Sequence, residues 1–401
     1  MVGLPARGKT HIAQKLGRYI SWLGYESKVF NVGEYRRRQT GGGQSHEFFS
    51  GDNADGSAQR RQIAMAALDD LEVWFKLRGG VAIYDATNST KERRKLVLDR
   101  CQSLGAHVVF IESICDDQDV IENNIRETKL RSPDYVGFDE EEAVRDFRAR
   151  IAHYEKAYET IDENVLSFIK LINGGRRVVI NNIDGYLPSR VVYFLMNIHT
   201  VPRPIWLLRH GESIDNVENR IGGDSELSPF GESFSKNLPG FFKSQHIPSD
   251  SCVLWTSTLK RSVQTAKFLD GKKIQWRLLN EIDAGACDGL RYEDMEHDML
   301  EEYRARQAEK FVYRYPNGES YFDLVERLEP MIPELERVRR PLIIISHQAV
   351  SRVLYAYLMG KAKEVCPHLS IPLHTLIELR PTAYGYDESR HTLSSDTEGQ
   401  P

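Results

Sequence analysis

The sequence contains two successive series of short apolar runs that alternate with amphipathic helical stretches, one over residues 1–199 and one over residues 203–381. Such alternation is typical of βαβ units, in which helices cover a mostly parallel sheet. Pro202 and Pro204 bracket a short extended connector between the two series. The pattern predicts an α/β protein with two three-layer α/β domains, followed by a polar tail over residues 382–401.

The same pattern predicts individual elements. In the first domain, buried strands are expected at residues 27–32, 81–84, 107–112 and 177–181, and helices at residues 11–23, 60–77, 140–158 and 184–197. In the second domain, strands are expected at residues 205–208, 252–255 and 342–345, and helices at residues 259–269 and 350–358. Ligands of parallel sheets bind beyond the carboxyl ends of the strands, so the residues that follow these strands are candidates for function.

Composition argues against several classes of protein. The apolar runs are shorter than the ~18–20 residues needed to span a bilayer, and we recognise no signal peptide, so no membrane partner is expected. The five cysteines form no CxxC pair, which argues against a zinc site and favours the reducing cytoplasm. A net charge of −5 disfavours a nucleic-acid partner. Arginine clusters at residues 36–38, 60–61 and 93–94 instead indicate sites for small anions such as phosphate.

A phosphate loop is predicted at residues 3–10, which read GLPARGKT and satisfy the pattern G-x-x-x-x-G-K-[ST]. Backbone N–H groups of such a loop surround phosphate oxygens, while the lysine contacts the β- and γ-phosphates and the last hydroxyl ligates Mg²⁺. The predicted nucleotide-binding residues are Gly3, Leu4, Pro5, Ala6, Arg7, Gly8, Lys9 and Thr10. A simple glycine–proline turn is the alternative. Only Met1 and Val2 precede the loop, so we expect its leading strand to be missing.

Asp85 is the main acidic candidate of the first domain. It follows the predicted strand 81–84 and opens the run DATNSTKERR. A carboxylate at the carboxyl end of a parallel strand can hold Mg²⁺ or accept a proton from the hydroxyl group of a substrate. Two alternatives remain open, since Asp85 could cap the following helix or could share both roles with Asn88.

A candidate nucleophile, His210, follows the first strand of the second domain in the run RHGES. A neutral histidine nitrogen can attack phosphorus and form a phosphohistidine, which divides hydrolysis into two steps. The neighbouring Arg209 can bind the oxygens of the transferred phosphoryl group. The alternative is a structural histidine that only satisfies its own hydrogen bonds.

Other strand ends of the second domain favour the catalytic interpretation. Arg261 lies at a predicted helix N-terminus, and His347 lies in the run SHQ that follows the predicted strand 342–345. Glu281 is the candidate proton donor to the leaving oxygen, with Asp283 as the second choice. Because arginine and imidazole supply positive charge, we expect this site to need no metal and no cofactor.

The sequence resembles the 6-phosphofructo-2-kinase/fructose-2,6-bisphosphatase family over nearly its whole length. The first half resembles the kinase half of the family through the motifs GLPARGKT, FNVGEYRRR, YDATNSTKERR and KLRSPDY. The second half resembles a histidine phosphatase of the phosphoglycerate-mutase-like type through RHGES, RIGGDSELS, TSTLKRSVQTA, NEIDAGACDGL, RYPNGESY and SHQAVSR. The resemblance implies a P-loop kinase domain at residues 1–199 and a phosphatase domain at residues 203–381.

The resemblance also implies a role for particular residues of the first domain, which would phosphorylate fructose 6-phosphate at the 2-position with MgATP. Asn124 and Lys129 would join the phosphate loop in binding ATP, and Thr10 and Asp85 would hold Mg²⁺. Cys115 aligns with a cysteine near the family's kinase site, although a small buried apolar residue is an equal alternative. The sugar phosphate would be held by Arg36, Arg60, Thr87, Arg93, Lys129, Arg150 and Tyr154.

The second domain would, by the same resemblance, remove the 2-phosphate from fructose 2,6-bisphosphate. His210 would be the nucleophile and Glu281 the general acid, while His347, Arg209 and Arg261 would stabilise the transferring group. The substrate-binding positions would be Asn216, Gly222, Tyr292, Arg306, Lys310, Tyr321, Gln348 and Arg352. A homodimer is also implied.

Alternatives to this bifunctional enzyme remain open at this point. The missing leading strand suggests a phosphatase alone, with a first domain that is inactive or only binds nucleotide. A non-enzymatic metabolite sensor and a nucleic-acid kinase–phosphatase are further possibilities, and the acidic net charge weighs against the latter.

Overall fold

We describe a computed structural model of the chain over residues 1–126, 133–135, 137–199, 202–247, 249–382 and 385–393. The chain divides into two compact units, Met1–Thr200 and Val201–Pro401, and each combines helices with a sheet. The predicted α/β class is therefore confirmed. Among the described residues, no helix is both long and apolar enough to cross a membrane.

The first unit alternates strands and helices as the sequence predicts. Its strands are β1 (Ser27–Asn31), β2 (Val81–Asp85), β3 (Phe110–Ile114), β4 (Phe168–Ile172) and β5 (Arg177–Asn181). Its helices are α1 (Lys9–Trp22), α2 (Val32–Thr40), α3 (Ala54–Arg78), α4 (Lys91–Gln102), α5 (Gln118–Asn124), α6 (Glu140–Glu155) and α7 (Tyr186–Asn197). Helix α3 begins six residues before the predicted start because Asn53 caps it, accepting a hydrogen bond from the Gly56 amide at 2.7 Å.

Parallel pairing dominates the sheets of the first unit. Strands β1 and β2 pair in parallel, as do β3 and β4, whereas β5 is antiparallel to β4. The sequence predicted β5 as a buried strand, and this is wrong: none of its residues is buried, and Ile180 is 45% exposed. Within the described part of the chain, β5 pairs with β4 alone, and much of its surface stays accessible.

The residues ahead of the phosphate loop take part in the sheet. Val2 forms a parallel bridge with Glu112 of β3: its N–H donates to the Ile111 carbonyl at 2.7 Å, and its own carbonyl accepts from Ser113 at 2.9 Å. On the other side, Gly3 N–H donates to the carbonyl of Thr87, just beyond β2, at 3.0 Å. The loop is thus anchored between β2 and β3 by a single residue in strand conformation.

The second unit is built on one six-stranded sheet. Its strands are β6 (Ile205–Arg209), β7 (Val253–Thr256), β8 (Lys272–Gln275), β9 (Leu342–Ser346), β10 (Thr375–Pro381) and β11 (Tyr386–Thr392), in the order β11-β10-β6-β9-β7-β8. Its helices are α8 (Ile214–Val217), α9 (Pro229–Ser244), α10 (Lys260–Thr265), α11 (Tyr292–Asp298), α12 (Leu300–Ala308), α13 (Tyr321–Leu328), α14 (Met331–Arg337) and α15 (Gln348–Leu358). Strands β6 to β9 run in parallel, which brings the ends of β6, β7 and β9 to the same edge.

The polar segment after Pro381 corrects the sequence prediction. Residues 382–401 were expected to be a polar tail, but β11 pairs antiparallel with the whole of β10, from Thr375 opposite Thr392 to Pro381 opposite Tyr386. An edge strand needs little apolar surface, because only one of its edges and part of one face are covered. Low hydrophobicity therefore did not reveal it. Residues 394–401 lie outside the described part of the chain.

Candidate active sites

The phosphate loop owes its shape to glycine. Gly8 has a φ of 77° and precedes α1, which begins at Lys9, so the helix N-terminus faces the loop. Gly3 has a φ of 133°, and a Cβ atom there would lie 2.4 Å from the backbone oxygen of Ser113, closer than any side chain tolerates. Lys9 Nζ donates to the Leu4 carbonyl at 2.6 Å and thus lies over the loop. Backbone amides, a helix N-terminus and an ammonium group together form an anion site.

Three polar side chains converge beside this loop. Asn31 and Asp85 end the neighbouring strands β1 and β2 and are paired in register. The Asn31 amide donates to Asp85 Oδ2 at 2.5 Å and to the hydroxyl oxygen of Thr10 at 3.4 Å. Asp85 is only 3% exposed. A carboxylate and a hydroxyl oxygen next to a phosphate loop suit Mg²⁺, which binds few protein ligands and takes the others from phosphate and water.

Arginine side chains gather in a second part of the first unit. Arg36 forms a buried ion pair with Asp134, and Arg150 Nη1 lies 3.8 Å from the same carboxylate. The guanidinium of Arg150 stacks on the Phe49 ring at 3.6 Å from its centroid. Burial lowers the pKa of the Arg60 guanidinium; nearby Tyr154 opposes this shift, and the positive charges of Arg150 and Arg93 add to it. A bound anion would relieve this concentration of positive charge.

Asn124 and Thr87, two further predicted residues of the first unit, contact the phosphate loop. The Asn124 amide donates to the Ala6 carbonyl at 3.0 Å, and Thr87 contributes its carbonyl to the Gly3 hydrogen bond. Cys115 packs against an apolar cluster, and burial raises the pKa of its thiol, which argues against a reactive thiolate. Lys129 lies outside the described residues.

In the second unit, His210 follows β6 and is 3% exposed. Its Nδ1 lies 2.7 Å from the Gly211 carbonyl, and Arg261 Nε donates to its Nε2 at 3.1 Å. These partners place the ring proton on Nδ1 and a lone pair on Nε2. Burial holds the pKa of His210 well below its usual range, with a further contribution from the Arg261 charge. The imidazole is therefore neutral, as a nitrogen nucleophile must be.

His347 lies beside His210 because their strands are neighbours. Arg209 of β6 pairs with Ser346 of β9, and the centroids of the two imidazole rings are 5.0 Å apart. The Ser257 hydroxyl lies 2.7 Å from His347 Nε2 and also accepts a hydrogen bond from the Leu259 amide. Nδ1 of His347 has no hydrogen-bond partner among the described residues, and it carries the ring proton when the Ser257 hydroxyl donates to Nε2. Such a group can donate to a phosphoryl oxygen.

The carboxylate of Glu281 contacts the N-terminus of helix α15. It accepts hydrogen bonds from the Ala349 amide at 3.1 Å and from the Ile282 amide at 3.0 Å. Burial lowers the pKa values of Arg209 and Arg261, and the Glu281 charge opposes this shift in both, which places Glu281 near both guanidinium groups. The Asp283 carboxylate instead accepts from the Gly285 amide at 2.8 Å within a local turn. The geometry thus favours Glu281 over Asp283.

A further basic region adjoins the two histidines. Arg352 Nη1 donates to the Tyr321 hydroxyl oxygen at 3.0 Å, and Arg306 stacks near Tyr292 at 5.4 Å from the ring centroid. Burial lowers the pKa of Lys310 to about 8, with added effects of the Arg306 and Arg352 charges. Since the Arg352 charge also lowers the pKa of Arg209, this region is continuous with the histidine site. The remaining predicted residue here, Gln348, is the first residue of α15.

The turn after α8 holds the other predicted ligand positions. Asn216 Oδ1 accepts from the Ser213 amide at 3.1 Å in a capping box, so this part of its side chain is structural. Gly222 has a φ of 69°, and a Cβ atom there would lie 1.7 Å from Asp288 Oδ1. The next residue, Gly223, accepts a hydrogen bond from Arg261 Nη1 at 2.6 Å. This turn therefore orients Arg261 toward His210.

Sequence reasoning missed several residues that complete these sites. Ser257 follows strand β7, so the rule that functional residues follow parallel strands could have found it, whereas Asn31 is the last residue of β1 and lies inside the predicted strand 27–32. Thr265 accepts a hydrogen bond from the Gly211 amide at 2.9 Å. Nothing in the sequence singles it out, because it lies within helix α10.

Comparisons with known proteins assign the two units of the chain to known families. Residues 1–202 match the model of the 6-phosphofructo-2-kinase family, and residues 205–393 match that of the histidine phosphatase superfamily, branch 1. A 6-phosphofructo-2-kinase/fructose-2,6-bisphosphatase of Arabidopsis thaliana is 48% identical over 98% of this chain, which spans 53% of that relative's length. The enzyme of the same name from Aquarana catesbeiana is 48% identical over 96% of this chain and 82% of its own. The human protein 6-phosphofructo-2-kinase/fructose-2,6-bisphosphatase 4 is 49% identical with the same coverage.

Proposed function

Because the chain belongs to the 6-phosphofructo-2-kinase/fructose-2,6-bisphosphatase family, we propose that it both makes and degrades fructose 2,6-bisphosphate. The first unit, hereafter the kinase half, phosphorylates fructose 6-phosphate at the 2-position with MgATP. The second unit, the phosphatase half, hydrolyses the 2-phosphate of fructose 2,6-bisphosphate. The observation that carries the proposal is the presence of two separately built phosphate sites on one chain, each within a matching family region.

In the kinase half, the phosphate loop and Lys9 bind the phosphates of ATP, with Asn124 and Lys129 completing the nucleotide site. Thr10 and Asp85 would hold Mg²⁺, which when bound neutralises charge on the phosphates. Asp85 is also proposed to accept the proton of the sugar hydroxyl. Cys115 is the weakest of the proposed kinase residues, since its thiol is partly buried in an apolar cluster.

Fructose 6-phosphate binds to the arginine cluster of the kinase half. Its phosphate requires paired guanidinium groups, which form strong charge-assisted hydrogen bonds with phosphate oxygens. The residues proposed to hold the sugar phosphate are Arg36, Arg60, Thr87, Arg93, Lys129, Arg150 and Tyr154. The ion pairs of Arg36 and Arg150 with Asp134 support this step, since a phosphate would compete for both.

In the phosphatase half, His210 Nε2 attacks the 2-phosphorus and the bond from phosphorus to the sugar oxygen breaks. Glu281 donates its proton to that leaving oxygen, then takes a proton from the water that attacks the phosphohistidine. Inorganic phosphate leaves, and His210 is restored. Arg209, Arg261 and the Nδ1 proton of His347 stabilise the phosphoryl oxygens during both steps.

The remainder of the substrate binds to the adjoining basic region. Arg306, Lys310 and Arg352 would bind the 6-phosphate. The other residues proposed to bind the sugar are Asn216, Gly222, Tyr292, Tyr321 and Gln348. This half is proposed to act without a metal or cofactor. A homodimer in the cytoplasm completes the proposal.

Both activities should be measured on a single preparation. With fructose 2,6-bisphosphate labelled in the 2-phosphate, rapid acid-free quenching should trap the label on His210. Label on another residue, or turnover without a labelled protein, would exclude the phosphohistidine. Kinase turnover with MgATP and fructose 6-phosphate should be present in the same sample, and its absence would favour a phosphatase alone. That alternative is not favoured, because the kinase-family match covers residues 1–202.

A further inference from the structure

A third histidine, His374, contacts the peptide group that sets the protonation of His210. The carbonyl of this peptide belongs to Gly211 and lies 2.7 Å from His210 Nδ1. The N–H of the same peptide belongs to Glu212 and donates to His374 Nε2 at 3.1 Å. One amide plane thus joins the two imidazole rings, with its acceptor end toward His210 and its donor end toward His374.

We propose that His374 is a positioning residue of the phosphatase, which fixes the orientation of the Gly211–Glu212 peptide and through it the tautomer of His210. This inference rests on the phosphatase proposed above and adds a residue to it. An acceptor at His374 Nε2 holds the peptide N–H, so the carbonyl on the opposite side stays directed at His210 Nδ1. Donation by the N–H also polarises the amide and makes its carbonyl a better acceptor.

The surroundings of His374 keep its ring in one place. The ring centroid lies 4.4 Å from that of Phe230 in an edge-to-face arrangement and 4.8 Å from that of Phe234. The residue has a φ of 56°, in a turn just before β10, and its carbonyl accepts from the Leu393 amide at 3.0 Å. A positive φ on a residue other than glycine raises the free energy of the backbone, so the turn holds His374 in a strained conformation.

His374 is 8% exposed and, as an acceptor at Nε2, carries its single proton on Nδ1. The charged or titratable groups that act on it are Glu212, Arg209 and His210; the two phenylalanines are neutral. Burial lowers the pKa of His374, the Glu212 charge opposes this, and the Arg209 charge adds to it. The ring therefore stays neutral and remains an acceptor. A protonated His374 would present an N–H to the Glu212 N–H and could no longer hold the peptide.

The unmodified protein offers the first test, which requires no turnover. Nitrogen-15 NMR of the histidine rings should show the Nδ1–H tautomer for both His374 and His210. A His374 that carries its proton on Nε2 would overturn the inference. Because tautomers are read without substrate, this result stays separate from the question of whether the proposed phosphatase reaction occurs.

Two substitutions of equal length provide the second test. His374→Gln keeps an acceptor oxygen at about the place of Nε2, whereas His374→Met keeps the length without a strong acceptor, and both carry the same positive φ. We expect kcat of the phosphatase to fall about 10- to 100-fold in H374M, as when outer partners of functional histidines are removed. In H374Q we expect kcat to fall less than about 3-fold. The KM should change little in either variant, since neither substitution alters the region proposed to bind the 6-phosphate.

The tautomer of His210 in the variants separates positioning from general packing. In H374M, a mixture of His210 tautomers should accompany the loss of kcat, and in H374Q the Nδ1–H form should dominate. Kinase turnover of the same preparations should match that of the unmodified chain and reports on folding. Equal losses of kcat in both variants with His210 tautomers unchanged would refute the proposal, as would an unaltered kcat in H374M.

Discussion

The two halves prepare for a phosphoryl group in opposite ways. In the phosphatase half, His210 and His347 are buried and neutral, with Gly211 and Arg261 bound to the ring nitrogens of His210 and Ser257 bound to Nε2 of His347. In the kinase half, the cationic groups keep their charge and share partners, as Arg36 and Arg150 share Asp134. A covalent step on the protein requires a neutral nitrogen with a lone pair, whereas transfer between two bound substrates requires position and positive charge. The contrast in environment matches the two proposed reactions.

The largest expected effect comes from removing the proposed nucleophile. His210→Ala should lower the phosphatase kcat by at least about 10⁴-fold, because the covalent route is lost. Kinase turnover should be unchanged if the two halves act through separate chemistry. The control is His297→Ala, since that imidazole is exposed and Asp298 is its only ion-pair partner among the residues that the structure describes. Phosphatase turnover that survives in H210A would show that the phosphatase half, like the kinase half, needs no covalent step on the protein.

The matching change in the kinase half is Asp85→Asn. It should lower the kinase kcat by about 10³-fold, because the amide neither holds a divalent cation well nor accepts a proton. Phosphatase turnover in the same variant should stay at its original value. Asp99→Asn, at an exposed position of α4, provides the control. If D85N retained most of its kinase activity, the carboxylate would have only a structural role, such as holding the Asn31 amide.

Central strands could be predicted from the sequence better than edge strands. Apolar runs such as IWLL and LIII became β6 and β9, since central strands of a parallel sheet are buried on both faces. Strand β11 was missed and β5 was misjudged, because edge strands need little apolar surface and their composition carries a weak signal. A helix start was placed late at α3, where an asparagine cap decides the first turn.

The site residues, too, could be predicted only in part from the sequence. The strand-end rule and the motifs were sufficient to propose His210, Arg261, His347 and Asp85. Peptide orientation and hydroxyl partners depend on tertiary contacts between distant segments, and the sequence contains no periodic signal for them. The contact of the Ser257 hydroxyl with His347 and the contact of the His374 ring with the Glu212 amide therefore became visible only in three dimensions.

A smaller effect should follow from Ser257→Ala, which tests whether His347 also needs a fixed tautomer. Without the hydroxyl, Nε2 of His347 loses its partner and the proton is no longer restricted to Nδ1. The phosphatase kcat should fall about 10- to 100-fold, the range for outer partners of functional histidines. Ser346→Ala is a matched control, since that buried hydroxyl bonds to Ser351 instead. Equal effects in S257A and S346A would argue that only packing near His347 matters.

The smallest expected change is the response of the phosphatase to mild acid. A histidine with the usual pKa of about 6.5 would be about 90% protonated at pH 5.5, and kcat would fall about 10-fold. Burial lowers the pKa values of His210 and His347, so both remain neutral as the pH falls through 6.5, and activity is lost only when the pH reaches the lowered values. With saturating substrate, kcat should therefore change less than about 2-fold between pH 7.5 and 5.5. His297 is an internal NMR control, because its hydrogen bond with Asp298 raises its pKa and it should become protonated above pH 6.5. A phosphatase kcat that halves near pH 6.5, together with titration of His210 there, would show that burial does not keep the nucleophile neutral and would remove the main difference between the two halves.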